Sequence, residues 1–468
     1  MTTHKVDLHG RKVLFVAYFY PPSDSKGVPG CMRTIKFIRN LSNGECHVLT
    51  SGLSPAGGND ALSHLTLPIN GEHIHRIRAW DTFKLLLAIR QKLRSLLRGR
   101  RRQASASGSG DHQLDQAVFK NTDTPASPST GRLQRLKDFI YNLCYFPDQA
   151  GPWIIPAFIS GYRLVRKHNL NVIFATGSPW SGLVTGYLIS KATGKPLIAD
   201  FRDPWVNNPF HHTKGRLLDR WSNSLEKRVV KHAAAVSLNT PPLKEEFLLR
   251  YPNLPAEKFF VMPNGFDPAD FEDIEPEARS DSTETFLLCH AGFLYGVRDP
   301  RVLLEAIRQA NIRLAGTGQR VVFRQIGDVQ LSYDVREQFS DLLENHSFIL
   351  EQPRPYLRCL SALAGADSVV NIQPATQSQI PSKLYDYLGI NRPILNITAR
   401  NGALGKLVDE KKIGTLVEFN EADALTDILV GEAQSKNSQH FTGYKSRGDF
   451  DVRTITATLA SHIIRLSD

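Results

Sequence analysis

Short runs of branched and aromatic residues recur along the chain, each leading into a turn or a helical pattern, and this alternation restricts the fold more than any other feature. The first series opens with Val13 to Tyr18, then a turn-forming stretch with Gly27 and Gly30 and a helical pattern from Met32 to Leu41. It continues through Val172 to Ala175, Pro196 to Asp200 and Ala234 to Leu238. A second series begins after Asn264 and Gly265: Phe286 to His290, a helical pattern from Pro300 to Gln309, and Val321 to Ile326 ending at Gly327. Ser347 to Leu350, Ser368 to Ile372 and Pro393 to Ile397 complete it. Such alternation implies parallel strands joined by crossover helices. At 468 residues the chain exceeds what one core organises, so two α/β domains are expected. The boundary falls near Asp267 to Ser282, giving domains over 1–268 and 269–449, with a helical pattern from Val452 to Leu466 inside a terminal segment 450–468.

One region belongs to neither series. Residues 103–132 are rich in Ser, Ala, Gly and Pro and cannot bury enough apolar surface to offset the entropy of ordering, so a flexible insertion is expected. Before it, the net charge of +11 finds its local source in a basic stretch running from Arg76 to Arg102. Over about 82–102, Leu86, Ile89, Leu93, Leu96 and Leu97 share a helical stripe opposite Lys84, Arg94 and Arg98. That pattern suits a helix lying on an anionic membrane surface, where each basic residue contributes up to about 1 kcal/mol. It equally suits a helix packed on the first domain. The basic run lacks interleaved aromatics, so nucleic acid is not an expected partner. No apolar stretch reaches the length of a membrane span, and the opening apolar run, broken by Pro21 and Pro22, reads as a strand and not a signal peptide. Five scattered cysteines suggest neither a disulfide framework nor a zinc site and fit a reducing cytoplasm.

The chemistry-bearing stretch is Pro381, Ser382, Lys383, Leu384, Tyr385, Asp386 and, after one helical segment, Pro393. It resembles the donor-site motif of the family-four glycosyltransferases. The loop His290 to Asp299, with Gly292, Tyr295 and Arg298, is similar to that family's second diphosphate-facing loop. In the amino-terminal half, PDQAGPW (147–153), TGSPWSG (176–182), ADFRDPW (199–205), VSLNTPPLKEEF (236–247) and PNGFD (263–267) look like a subgroup from bacterial surface-polysaccharide loci. The resemblance covers most of the chain outside residues 80 to 145. It implies a GT-B fold, two Rossmann-like domains facing a central cleft, with the last helix packing back toward the first.

It also implies residue roles. A helix starting at Lys383 would present its first amides and the lysine to a donor diphosphate, and Asp386 would hold the ribose, with Gly292, Tyr295, Gly327, Pro381, Ser382 and Leu384 around the donor. Arg298 would be the second cation. Asp386 stands where the family has glutamate, and Ser378 where it has a paired acid. From the residues alone, Ser382 also reads as a helix cap and Arg298 as a surface partner of Asp299. At the first domain's strand ends lie Gly27, Gly30, Arg33, Ser178, Arg202 and Asp203. The resemblance suggests a phosphate or acceptor loop there, with Arg33 supplying charge, although the two glycines are also what a turn needs. Asp203 either orients an acceptor hydroxyl or pairs with Arg202.

No metal is expected. Asp449 and Asp451 precede the terminal helix, where capping suffices, and the adjacent His211 and His212 point apart. The expected activity is retaining transfer of a sugar from a nucleotide-diphosphate sugar, a co-substrate and not a cofactor, to a carbohydrate or lipid-linked acceptor. The expected place is cytoplasmic, peripheral on the inner face of the plasma membrane. A sugar-nucleotide epimerase of the same fold is the nearest enzymatic alternative, and a non-catalytic scaffold in polysaccharide assembly is the other.

Overall fold

The computed structural model describes residues 5–22, 28–52, 65–80, 139–206, 208, 213–279, 283–374, 376–436 and 441–468. Gly27, the basic helix of about 82–102, the insertion 103–132 and the pair His211 and His212 lie outside the described residues. The strands in chain order are β1 (Val6–Asp7), β2 (Lys12–Val16), β3 (Leu41–Ser42), β4 (Glu45–Ser51), β5 (His73–Ile77), β6 (Val172–Gly177), β7 (Leu197–Phe201), β8 (Ala235–Leu238) and β9 (Phe259–Val261). They continue as β10 (Thr285–Ala291), β11 (Leu294–Tyr295), β12 (Arg320–Ile326), β13 (Val329–Gln330), β14 (Phe348–Glu351), β15 (Ser368–Ile372), β16 (Ile394–Ile397) and β17 (Thr415–Val417).

Seven of the first group form one parallel sheet in the order β5-β4-β2-β6-β7-β8-β9, and six of the second form another in the order β14-β12-β10-β15-β16-β17. The runs are apolar without alternation because both faces of each sheet are covered. On one face of the first sheet, Trp153, Ala157 and Val165 pack with Trp180, Leu183 and Ile189. On the other, Ile35, Phe37 and Ile38 meet Ile455, Leu459 and Ile463, so the carboxy-terminal helix Val452–Ser467 completes the first domain's core. Phe266 forms a parallel bridge with Asp451, and its amide bonds Phe450 while its carbonyl receives the Val452 amide, so the chain crosses between the two sheets at adjacent points. Asp451 caps the last helix by accepting from the Arg453 amide at 2.9 Å, and Asp449 pairs with Lys411 at 2.9 Å.

Three placements differ from the sequence reading. The first helix runs Val28–Arg39, so Gly30 lies in its first turn and not in a loop ahead of it. Arg76 belongs to edge strand β5, where its guanidinium donates to the carbonyls of Tyr20 and Pro21. The basic segment therefore begins beyond it. Strands β4 and β5 were not expected, because Glu45, His47, His73 and His75 interrupt the apolar pattern by which the other strands are read, and β9 and β17, of three residues each, are too short to stand out.

Arg33 sits at the meeting point of these parts. Its Nε and Nη2 bond the two oxygens of Asp200 at 3.0 and 2.9 Å, Nη2 also reaches the Met262 carbonyl at 2.7 Å, and Nη1 bonds the Pro263 carbonyl and Asn264 Oδ1 at 3.1 and 2.8 Å. Asp200 is fully buried and further accepts from Thr176 Oγ1 at 2.7 Å and Ser237 Oγ at 2.8 Å. All five N–H groups of the guanidinium are thus engaged, and strands β6, β7 and β8 are tied to the first helix and the linker. One turn and two turns on, Lys36 bonds the Gly265 carbonyl at 3.1 Å and Arg39 pairs with Asp267 at 3.0 Å. Removing one member of a buried pair strands the other, at a cost of about 3–5 kcal/mol. Arg33→Ala is expected to lower the unfolding free energy from urea titration by that amount, and Arg33→Lys to fail to restore it because a lysine cannot make the bidentate contact; an alanine variant as stable as the parent contradicts the assignment.

Candidate active site

Between the carboxyl edges of the two sheets lies a cavity of about 610 Å³, within the range of small-molecule sites. Its first-domain wall includes Arg33, Lys36 and Phe37. The opposite wall includes Gly292, Gly327, Tyr356, Ser382, Lys383 and Asp386.

The helix that opens onto the cavity is Lys383–Ile390. Leu384 and Tyr385 turn their amides back to the carbonyls of Pro381 and Ser382, both at 3.1 Å. That leaves the Ser382 and Lys383 amides, among the described residues, without a backbone partner at the helix start, where free N–H groups and the helix dipole favour an anion. Ser382 makes no side-chain capping bond, so the capping alternative is not what the structure shows. Leu384 is fully buried and anchors the helix in the core beneath the site, away from the cavity.

A relay of hydrogen bonds fixes the lysine. Gln325 Nε2 donates to the carbonyls of Gly292 and Gly327 at 2.7 and 3.2 Å, which turns its Oε1 toward His290 Nδ1 at 2.6 Å. An oxygen there can only accept, so Nδ1 carries the proton and Nε2 presents a lone pair. Lys383 Nζ lies 3.0 Å from that Nε2 and donates to it. The imidazole is neutral, since burial and the Lys383 charge hold its pKa well below the ordinary value. His290 and Gln325 are register partners on β10 and β12, so the relay spans neighbouring strands. Gly292 is at φ +128°, and a Cβ there would lie 2.3 Å from Lys383 Nζ; Gly327, at φ +120°, would drive one to 2.9 Å from the Gly292 carbonyl oxygen. Both positions need glycine so that the backbone can close on the lysine.

Burial first, and then the Arg298 charge, lower the Lys383 pKa to about 7. Arg298 lies over the Tyr295 ring, 5.2 Å from its centroid, and its buried Nε has no hydrogen-bond partner. Asp299 is not its partner: that carboxylate accepts from Tyr333 Oη at 2.7 Å and from the Arg301 amide at 2.9 Å. Two like charges are thus held close enough for one to depress the other. Asp386 accepts from Tyr356 Oη at 2.9 Å, and burial raises its pKa.

The remaining sequence-derived residues are placed differently. Tyr295, Arg298, Pro381 and Leu384 support the wall from behind, and none of the four lines the cavity. Arg33 borders it, but its donors are spent on Asp200 and the linker, so the expected phosphate charge is not free there. Ser178, Arg202 and Asp203 sit at the ends of β6 and β7 beside the cleft and not in the cavity wall. Arg202 reaches back to the Gly177 and Ser178 carbonyls. Asp203 accepts from Gln379 Nε2 of the opposite domain at 3.2 Å, and Thr240 Oγ1 donates to the Ser378 carbonyl at 2.7 Å, so this edge bridges the two halves. Gln325, Tyr356 and Lys36 were missed by the sequence reading. The available signal was a polar residue one place before the end of its strand, Gln325, beside the equally placed His290.

The depressed lysine makes a stability prediction. Between pH 7 and the ordinary lysine range the unfolded chain holds a proton at Lys383 that the native chain has released, so stability rises with pH there; below pH 7 the full penalty is present. Lys383→Met is expected to raise Tm at about pH 6 and to give a smaller gain at about pH 10. A Tm at about pH 6 that is unchanged or lower counts against a charged, unpaired lysine in the native cleft.

Residues 118–270 match the model of Glycosyltransferase Family 4. No curated protein matches the chain. Among solved structures, Anabaena Alr3699/HepE in complex with UDP-glucose is 14% identical with a TM-score of 0.54, covering 96% of this chain and 98% of that one. Sucrose-phosphate synthase from Thermosynechococcus elongatus is 13% identical with a TM-score of 0.55, covering 98% and 99%. These likenesses show that the two parallel-sheet domains are arranged as a GT-B fold.

Proposed function

We propose that this chain, a family-four-like glycosyltransferase of GT-B fold, moves a sugar with retained configuration from a nucleoside-diphosphate donor to a lipid-linked or growing polysaccharide acceptor. The observation that carries the reading is the positioned Lys383 beside Arg298 at an open helix start. A diphosphate entering there meets the Ser382 and Lys383 amides and the Lys383 amino group, with the Arg298 charge acting from behind the wall. As the glycosidic bond breaks, negative charge grows on the leaving phosphate oxygen, and donors already aimed at it stabilise the transition state more than the bound donor. The lysine regains its full charge against the phosphate. Asp386, steadied by Tyr356, offers its carboxylate to the ribose hydroxyls. The acceptor hydroxyl approaches from the first-domain side and gives its proton to the departing phosphate oxygen on the same face. UDP-sugars are the first donors to test, since HepE carries UDP-glucose.

Lys383→Ala and Arg298→Ala are each expected to lower kcat by about a hundredfold to a thousandfold in a donor-turnover assay. Donor binding in the parent is expected to weaken as pH rises from 7 to 9, and Lys383→Arg to flatten that dependence because arginine stays charged. A parent protein that shows no thermal shift with any of a panel of nucleotide sugars, and no turnover, overturns the reading.

The site of action is proposed to be an anionic membrane surface, reached through the basic segment 82–102. The charge and leucine stripe of that segment support this, and no helix among the described residues is long and apolar enough to cross a membrane. Deleting 82–102, which leaves β5 intact, is expected to release the protein from acidic liposomes in flotation. Flotation equal to that of the full chain refutes the proposed anchor.

A further inference from the structure

At the edge of the first sheet away from the cleft, several imidazoles gather around one carboxylate. Glu45 and His47 fall two apart at the start of β4 and so share a face, and His73 and His75 do the same on β5, where His73 is the register partner of His47. The helix Ile154–His168 ends over them, bringing its last residue to the group. Glu45 Oε1 lies 2.7 Å from His47 Nε2, 3.9 Å from His168 Nδ1 and 4.0 Å from His73 Nε2. One ligand atom each from Glu45, His47 and His168 falls within a 4.8 Å span.

We propose that Glu45, His47 and His168 form a divalent transition-metal site, with zinc as the expected occupant, that clamps β4 to the end of helix Ile154–His168. Zinc binds imidazole nitrogen and carboxylate oxygen at about 2.0–2.2 Å, and these three atoms reach such distances from a common centre with shifts of about 1 Å or less. The donor set, two imidazoles and one carboxylate, suits zinc and not magnesium or calcium.

The surrounding contacts orient both inner ligands. Lys12 Nζ holds Glu45 Oε2 at 2.7 Å, which turns Oε1 toward the rings. His47 is fully buried, and its Nδ1 lies 3.0 Å from His75 Nε2. His47 Nε2–H donates to the Glu45 carboxylate at 2.7 Å; a metal ion displaces that proton, and Nδ1–H then donates to His75, the arrangement that metal-ligating histidines share. His73, 58% exposed and with its ring centroid 4.7 Å from that of His47, is placed to supply a fourth nitrogen after a rotamer change. The site is structural. Glu45 and His73 begin parallel strands whose other ends face the cleft, so the metal lies across the sheet from the sugar-transfer chemistry.

The test uses the full-length chain freed of any affinity tag. Titration with Co²⁺ is expected to give a visible absorption band of a low-coordinate site, and Zn²⁺ to displace it and raise Tm. His168→Ala and Glu45→Gln, both partly exposed, are each expected to weaken Zn²⁺ binding by about tenfold or more, without changing UDP binding at the cleft. Absence of both the cobalt band and a zinc-dependent Tm shift overturns the proposal, leaving a cluster that exchanges only protons. Zinc affinity unchanged in both variants overturns it as well.

Discussion

Everything at the carboxyl edge of the first sheet is organised by the salt bridge between Arg33 and Asp200. A charged pair with both side chains almost wholly out of water survives only if its remaining hydrogen-bonding capacity is met. Here it is met from every side: two hydroxyls on neighbouring strands complete the carboxylate, and the linker's carbonyls and Asn264 complete the guanidinium. The pair therefore sets where the first helix lies, how three strand ends align and where the chain leaves for the second domain. The cavity's first-domain wall is a by-product of that arrangement. The opposite wall follows the reverse logic, because there Lys383 bonds only a neutral imidazole and the buried Arg298 Nε behind it has no hydrogen-bond partner. One domain spends its buried charge on architecture, and the other holds it in reserve for a ligand.

That division explains what was legible in the sequence. The strand series could be read because buried parallel strands are continuous apolar runs, and the runs at Phe286 to His290, Val321 to Ile326 and Ser368 to Ile372 lie within a residue or two of β10, β12 and β15. β4 and β5 escaped because their opening residues serve the histidine cluster, which breaks the pattern. The motifs of the amino-terminal half carried the resemblance, yet most of their polar residues prove architectural. Asp148 holds Ser181 at the start of a helix, Trp180 and Trp205 stack with ring centroids 5.6 Å apart, and Asn239 receives the Asn264 amide. Arg33 is the instructive case. Its place at a strand-end crevice pointed to phosphate, but its hydrogen-bond count could be known only once Asp200, Thr176 and the linker were brought around it.

In the second domain the helix start at Lys383 was readable from local sequence, since a lysine at the first turn after a Pro-Ser pair has few neighbours to contradict it. What local sequence did not contain was the lysine's partner. His290 and Gln325 lie far from it in the chain and become one relay only through strand pairing, and the tautomer of His290 follows from an amide two atoms further away. The same holds for Asp386, whose contact with Tyr356 joins two helices. Chemistry assembled across strands is invisible to spacing along one of them.

The paired crossing at Phe266 and Asp451 bears on how the cleft can work. Two segments running side by side between the sheets behave as a flat strap and not as a single thread. Two hydrogen-bonded segments resist torsion more than one does, so the twist of one sheet relative to the other is restrained at this crossing. Together with the Asp203–Gln379 and Thr240–Ser378 contacts across the cleft edge, it ties the domain that carries Lys383 to the first domain at two separate places.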